Sequence, residues 1–286
     1  MKRWLILVLG LCLYTTASGQ IGRFFEKKDN IRDFQSRTTK IVLTQPDSMM
    51  DLLLRDAIEA DWYLSPFEFC SWEDFQRLKS DSTYYFLLRA NGQHSKENEP
   101  AMEFLTLVKG GSAAAEKGLD AMPEILTLPL QPIQESEGRI FSFLPAYVRI
   151  IQAHVLKVIR ENRNHFSGVS DYAEGIDGNK TLNLLFEQDD FAYEVADSTL
   201  QAQFKGKARM ATVEEIDAAL TAGTPNTCVS LVLAPTINQR GSYCYKMIIR
   251  ADTYELLFFR KHKINARNGA GFLQEDIRRL AVPYAH

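Results

Sequence analysis

Cysteine and histidine are scarce in this chain: four of the first and five of the second among 286 residues. No Cys-x-x-Cys pair occurs, and no two histidines stand at metal-ligand spacing, so no metal centre is expected. The phosphate-binding run Gly-x-x-x-x-Gly-Lys-Ser/Thr and the nucleophile elbow Gly-x-Ser-x-Gly are also missing. Lys109-Gly110-Gly111-Ser112 carries glycines beside a serine but nothing else of either motif, and reads as a loop. Neither catalytic residues nor a cofactor are therefore assigned. Basic charge is not in excess either. The formal net charge of −3 argues against a nucleic-acid partner, whose phosphates need a basic surface.

Long apolar runs are absent as well, since no stretch approaches the ~18 uninterrupted residues of a membrane span. The longest one opens the chain. Lys2 and Arg3 precede the short apolar core Trp4–Leu13, and Ala17-Ser18-Gly19 follows with small side chains. That is the pattern of an export signal, cleaved near Gly19-Gln20 to leave a periplasmic or secreted protein. Cys12 is disfavoured as a lipid anchor, because the bulky Leu11 precedes it inside the apolar core. Cleavage leaves Cys70, Cys228 and Cys244, an odd number, so at least one thiol stays unpaired. Cys228 and Cys244 fall on neighbouring expected strands, where a register that suits them would allow a bridge; otherwise all three are small buried side chains.

What the chain does have is an internal echo. Ser71-Trp72-Glu73-Asp74-Phe75 opens a helix after an extended aromatic run, and Thr212-Val213-Glu214-Glu215-Ile216 does so again 141 positions later (71 to 212). Phe143-Leu144 with Val148-Arg149 is matched by Phe272-Leu273 with Ile277-Arg278. Each half begins with a β-branched or apolar strand, Thr39–Thr44 or Thr181–Phe186, followed by a helical segment. Along the first of these helices Met50, Leu53, Leu54, Ala57 and Ile58 form an apolar face, with Asp51, Arg55, Asp56 and Glu59 opposite. A second helix in each half is capped by Ser71 with Asp74 or by Thr212 with Glu215. Three closing strands and a final helix complete each half.

The expected fold is α+β: two similar repeats, each β-α-β-α-β-β-β with a mixed or mainly antiparallel sheet covered by helices, and a long helix between them. The spacing of matched positions is 142 at Leu43/Leu185 and 143 at Met102/Tyr245, then shortens to about 130. The first repeat therefore holds about a dozen extra residues, placed at Gly110–Gly118. The boundaries are 1–19 for the signal, 20–35 for a leading arm, 36–163 for the first repeat, 164–179 for a linker and 180–286 for the second repeat.

Candidate binding residues come from clusters that folding alone does not demand. Glu187, Asp189 and Asp190 follow a strand end, where carboxylates can hold a cation or simply favour a helix N-terminus. His262 lies in the basic run Arg260–Lys263, suited to an anionic partner or to protecting a sheet edge. Trp62 begins the aromatic run Trp62–Phe69, most of which reads as core, and is the aromatic expected to be exposed. Arg149, Lys157 and Arg160 share one basic face of the long helix.

The export signal, the strand–helix start, the Ser/Thr-x-x-acid caps and the closing strands together resemble envelope domains of the TolB amino-terminal type. The chain is also similar to exported proteins of Bacteroidota-like bacteria. The resemblance lies in element order and carries no family site residue. It implies protein–protein contact, with another envelope protein as partner, rather than catalysis. The expected function is a non-enzymatic periplasmic binding or scaffolding protein. The alternative is a small-ligand-binding protein or hydrolase, with Glu187, Asp189, Asp190 and His262 lining a cleft between the repeats.

Overall fold

The computed structural model describes residues 31–134, 138–161, 169, 172–173, 176, 181–237 and 241–285, and the backbone of the short strand β1 (Gly19–Gln20). Most of the expected signal, arm and linker lies outside these residues, as does Cys12.

The first sheet is built from β2 (Thr39–Leu43), β3 (Phe67–Ser71), β4 (Tyr85–Gln93), β5 (Met102–Lys109) and β6 (Glu124–Pro132), in the order β3-β2-β4-β5-β6. β1 pairs in parallel with Gly92 and Gln93 at the far end of β4. The second sheet contains β7 (Asn183–Glu187), β8 (Ala208–Ala211), β9 (Thr227–Leu233), β10 (Tyr243–Arg250) and β11 (Leu256–Lys263), in the order β8-β7-β9-β10-β11. The two orders are the same. In each sheet the first three strands in chain order pair in parallel, and the last two add as antiparallel hairpins. The fold is α+β with two similar mixed sheets.

Helices occupy equivalent places. α1 (Met49–Asp61) and α2 (Trp72–Leu78) flank β3, while α5 (Asp197–Gln203) and α6 (Val213–Ala222) flank β8. α4 (Leu144–Arg160) and α7 (Gln274–Ala281) end the two repeats. Local chemistry sets the starts. The Ser48 hydroxyl accepts the amide of Asp51, and both capping boxes form, Ser71 with Asp74 and Thr212 with Glu215. Replacing Thr212 with alanine is expected to lower the unfolding free energy by about 0.5–2 kcal/mol. A denaturant midpoint unchanged within error would count against the cap.

The extra residues of the first repeat form α3 (Ala114–Lys117) and a 3-10 turn at Gly118–Ala121, between β5 and β6. A short turn at 251–255 stands in their place in the second repeat. Ala114, Leu119 and Met122 join Val42, Phe75 and Phe86 in an apolar cluster under α2, so the insertion covers the outer face of the first sheet.

The repeats do not meet through equivalent faces. α1 and α4 cover the inner face of the first sheet, where Ile41, Leu87 and Leu107 join Leu54, Ile58, Tyr147 and Ile151. From the second repeat, the same core takes Ile216 and Leu220 of α6 with Leu185, Val229 and Met247. α5 and α7 lie on the opposite, outer side, over Phe186, Phe258 and Phe272. The α1/α4 face of one repeat thus packs on the α6 face of the other, a heterologous contact. The matching of Leu43 with Leu185 needs correcting for this reason. Leu43 faces the α1 side and Leu185 the α6 side, so an even offset pairs residues on opposite faces of the unit.

α4 is the centrepiece of this contact, with Leu144, Tyr147, Val148, Ile151 and Val155 buried in the shared core. The Tyr147 hydroxyl donates to the carbonyl of Pro129 at 2.6 Å and lies 3.8 Å from Met247 Sδ in the second sheet. Gln152 is fully buried and accepts the amides of Tyr63 and Leu64 at 2.7 and 2.9 Å, fixing the turn after α1. A loop supplies a second link. The side chain of His94, beyond β4, bonds the Tyr245 hydroxyl at 2.6 Å and packs on Tyr243. Burial, then the charges of Lys261 and Lys263, lower the His94 pKa from its ordinary 6.5 to about 4.

The folded state therefore holds fewer protons on His94 than the unfolded chain does. The stability tied to this depressed pKa is complete above pH 6.5 and is lost as pH falls toward 4. Glu97, in the same loop, accepts the His94 amide and has a pKa raised by burial, so its protonation partly offsets the loss. His94→Phe, which keeps an aromatic ring against Tyr243, is expected to flatten the unfolding free energy between pH 6.5 and 4. Curves for variant and wild type that stay parallel over that range would count against the assignment.

Candidate functional sites

In both repeats a buried aspartate sits just beyond the carboxyl end of the first strand, where the strand connections diverge. Open α/β sheets bind ligands at such points. In the first repeat this residue is Asp51, which the helical pattern of α1 places on the polar side but which is fully buried. Its carboxylate accepts the Gln45 amide at 2.7 Å and meets Arg89 at 2.8 Å. Arg89 also donates to Glu103 at 2.8 and 3.1 Å and to the Thr44 hydroxyl at 3.1 Å. Gln131 donates to the same Glu103 carboxylate at 2.7 Å. The sequence signal for this cluster was Arg89 itself, the one charge in an otherwise apolar strand run from Tyr84.

In the second repeat the residue is Asp190, 1% exposed. Its cation comes from the other repeat. Arg139, at the start of a 3-10 turn (Arg139–Phe143) leading into α4, donates to the two Asp190 oxygens at 2.8 and 3.2 Å. It also pairs with Glu187 at 2.6 Å. Ser230 donates to Asp190, and the Glu187 amide donates to Ser230 at 3.2 Å. Beside them, Ser142 donates to Asp217 of α6 at 2.6 Å. Burial works against the charge on Arg139, but the Asp190 and Glu187 carboxylates outweigh it and raise its pKa. Gly138 makes the insertion possible: its φ of +73° turns the chain, and a Cβ there would lie 3.2 Å from the Phe141 ring.

Of the acidic turn picked out by sequence, Glu187 and Asp190 are thus brought together, while Asp189 is exposed in an open depression with Gln188 and residues 191–196. His262 does not join them in a hydrogen bond; its Nε2 bonds the carbonyl of Gly269 at 2.8 Å, and burial, then Lys246, lower its pKa. Trp62 corrects an expectation of exposure. It is 6% exposed, packs on Phe34, and donates its indole N–H to the carbonyl of Ser65 at 3.1 Å. The reason is the C-terminus of α1, where the chain turns and sends Trp62 inward and Tyr63, 61% exposed, outward.

The basic face of α4 is partly spent within the molecule. Arg149 pairs with Asp61 at 2.6 Å beneath the Tyr63 ring, and Lys157 lies over Tyr172, while Arg160 is exposed. Cys228 and Cys244 are buried free thiols. Cys228 stands opposite Arg250, and Cys244 is six residues further along β10, about 20 Å at ~3.3 Å per residue, so the register excludes a bridge. Burial raises their pKa values to about 12 and about 11, which makes them unreactive.

The space between the repeats narrows to a pocket of about 260 Å³ bounded by Leu130–Pro132, Arg139 and Val232–Thr236. A larger groove, about 760 Å³, lies on the outer face of the first sheet. It runs over the carboxyl ends of β2 and β4, between α2 and the Lys117–Asp120 turn, and ends at Gln131 and Ile133. Among the described residues, no helix is long and apolar enough to cross a membrane, and no three His, Cys, Asp or Glu side chains gather as metal ligands. No protein-family model, curated protein or solved structure matches the chain.

Proposed function

We propose that this is a non-enzymatic binding or scaffolding protein of the bacterial cell envelope, exported to the periplasm and acting on another envelope protein. One observation carries this reading: the titratable groups that meet between the repeats are spent on one another. Asp190 and Glu187 both pair with Arg139, Asp217 accepts from Ser142, His94 bonds Tyr245, and the rest of the contact is an apolar core shared by both sheets. Such an interface holds two repeats in one fixed arrangement, which suits a rigid platform presenting surface. The opening charge-and-apolar pattern of residues 1–19 supports export, and the likeness in element order to TolB amino-terminal-type domains supports an envelope role.

The alternative, a ligand or substrate in a cleft between the repeats, has less in its favour, because Glu187 and Asp190 are already paired with Arg139 and Asp189 lies apart from them in an exposed depression. The test is cell fractionation of the source bacterium followed by affinity capture from the envelope fraction. Expected is a periplasmic protein that co-purifies stoichiometrically with one envelope protein and rebinds it when both are purified. Recovery in the cytoplasm, or no rebinding of any captured protein, would overturn the reading.

A further inference from the structure

We propose that the groove on the outer face of the first sheet is a binding site for a neutral, polyhydroxylated ligand: a short oligosaccharide. This goes beyond the envelope-partner role and stands or falls independently of it. The groove lies where strand connections diverge, and its volume of about 760 Å³ falls within the range of small-ligand sites. In the second repeat the corresponding strand ends are closed by Arg139, whereas in the first the Arg89 side chain comes from the sheet itself and leaves the space above it open.

The lining selects the class of ligand. Three carboxylates, Glu73, Glu103 and Asp120, are balanced by three cations, Lys79, Arg89 and Lys117. A balanced groove does not favour phosphates or other strongly charged ligands. Its polar groups are instead rich in side-chain amides: Gln45, Gln76, Asn91 and Gln131. Amides and carboxylates together offer the paired donors and acceptors that vicinal hydroxyls require. The Gln45 and Asn91 side chains, the Asp120 carboxylate and the Trp72 indole N–H make no hydrogen bond within the described residues, so they are available. Burial raises the Asp120 pKa, consistent with a carboxyl group set into the wall rather than on open surface.

The apolar part has the right shape. Leu88 and Phe75 form a buried floor, and Trp72 lies half-buried with its ring 5.0 Å from that of Phe75. A half-buried tryptophan presents a flat apolar surface with a polar edge. A sugar ring has the complementary form, an apolar C–H face with a rim of hydroxyls.

Isothermal titration with four neutral trisaccharides, cellotriose, maltotriose, laminaritriose and triacetylchitotriose, tests the proposal. At least one should bind with a submillimolar Kd. Trp72→Ala should weaken that binding by about tenfold or more, and Tyr63→Ala, an exposed aromatic outside the groove, should leave it unchanged. Since Trp72 also packs on Phe75, the exposed pair Gln45→Ala/Asn91→Ala provides a second variant that leaves the core intact and should likewise weaken binding. No binding by any of the four at millimolar concentration overturns the proposal, as does binding that both groove variants leave unchanged.

Discussion

Arg139→Met is expected to lower the unfolding free energy by about 3–5 kcal/mol, toward the lower end because the side chain is 17% exposed. The cost does not measure the worth of the ion pair. It comes from leaving the Asp190 carboxylate, 1% exposed, without a cation in the middle of the inter-repeat contact. The paired substitution separates the two. Arg139→Met with Asp190→Asn removes the charge at both ends and keeps a group that can bond Ser230, so it should be more stable than the single variant. Urea unfolding of the four proteins gives the cycle. A loss below about 1 kcal/mol in the single variant would mark the pair as solvent-screened, and the inserted arginine would then not be what closes the second repeat.

Asp276→Ala is the second large effect expected, again about 3–5 kcal/mol. Lys246 of β10 and Asp276 of α7 form an ion pair with side chains 1% and 0% exposed. Asp276 also accepts from Arg260 at 2.8 Å and from the Leu273 amide at 2.9 Å, which starts the helix. Truncation therefore strands a buried ammonium and removes a helix cap together. Adding Lys246→Met to the alanine variant should recover the part due to the stranded charge and leave the part due to the cap, about 0.5–2 kcal/mol. If the double variant is as unstable as the single one, charge burial is not the cause, and α7 is held by its cap and its apolar contacts alone.

The two clusters at the strand ends, Asp51 with Arg89 and Asp190 with Arg139, mark how far the sequence could be read. Their aspartates were visible as residues, but their roles were not. Asp51 reads as a polar-face position of α1, and Asp190 as one acid of an exposed turn after a strand. Helical periodicity reports which side of a helix is apolar on average. It does not report that one acid near the N-terminus meets a guanidinium from a strand 38 positions away (51 to 89). Trp62 fails for a related reason. The end of α1 was legible, but whether Trp62 or Tyr63 turns inward depends on where Gln152 of α4 holds their backbone. Arg139 carried no local signal, since its partners lie in the other repeat.

The duplication, the element order and both capping boxes belong to the sequence, because each rests on interactions that span a few residues or on an echo between two segments. The α+β class follows from them. Tertiary structure decided which face of each repeat turns inward. β2 and most of β4, β5, β9 and β10 are buried on both sides, so apolar residues fall on both faces of these strands and no clean alternation distinguishes one face from the other. That choice falls to contacts made only when the two repeats meet, with the long α4 filling one face of the first sheet and the shorter α6 one face of the second. It is the same choice that places Arg139 over the second repeat and leaves the groove of the first one open.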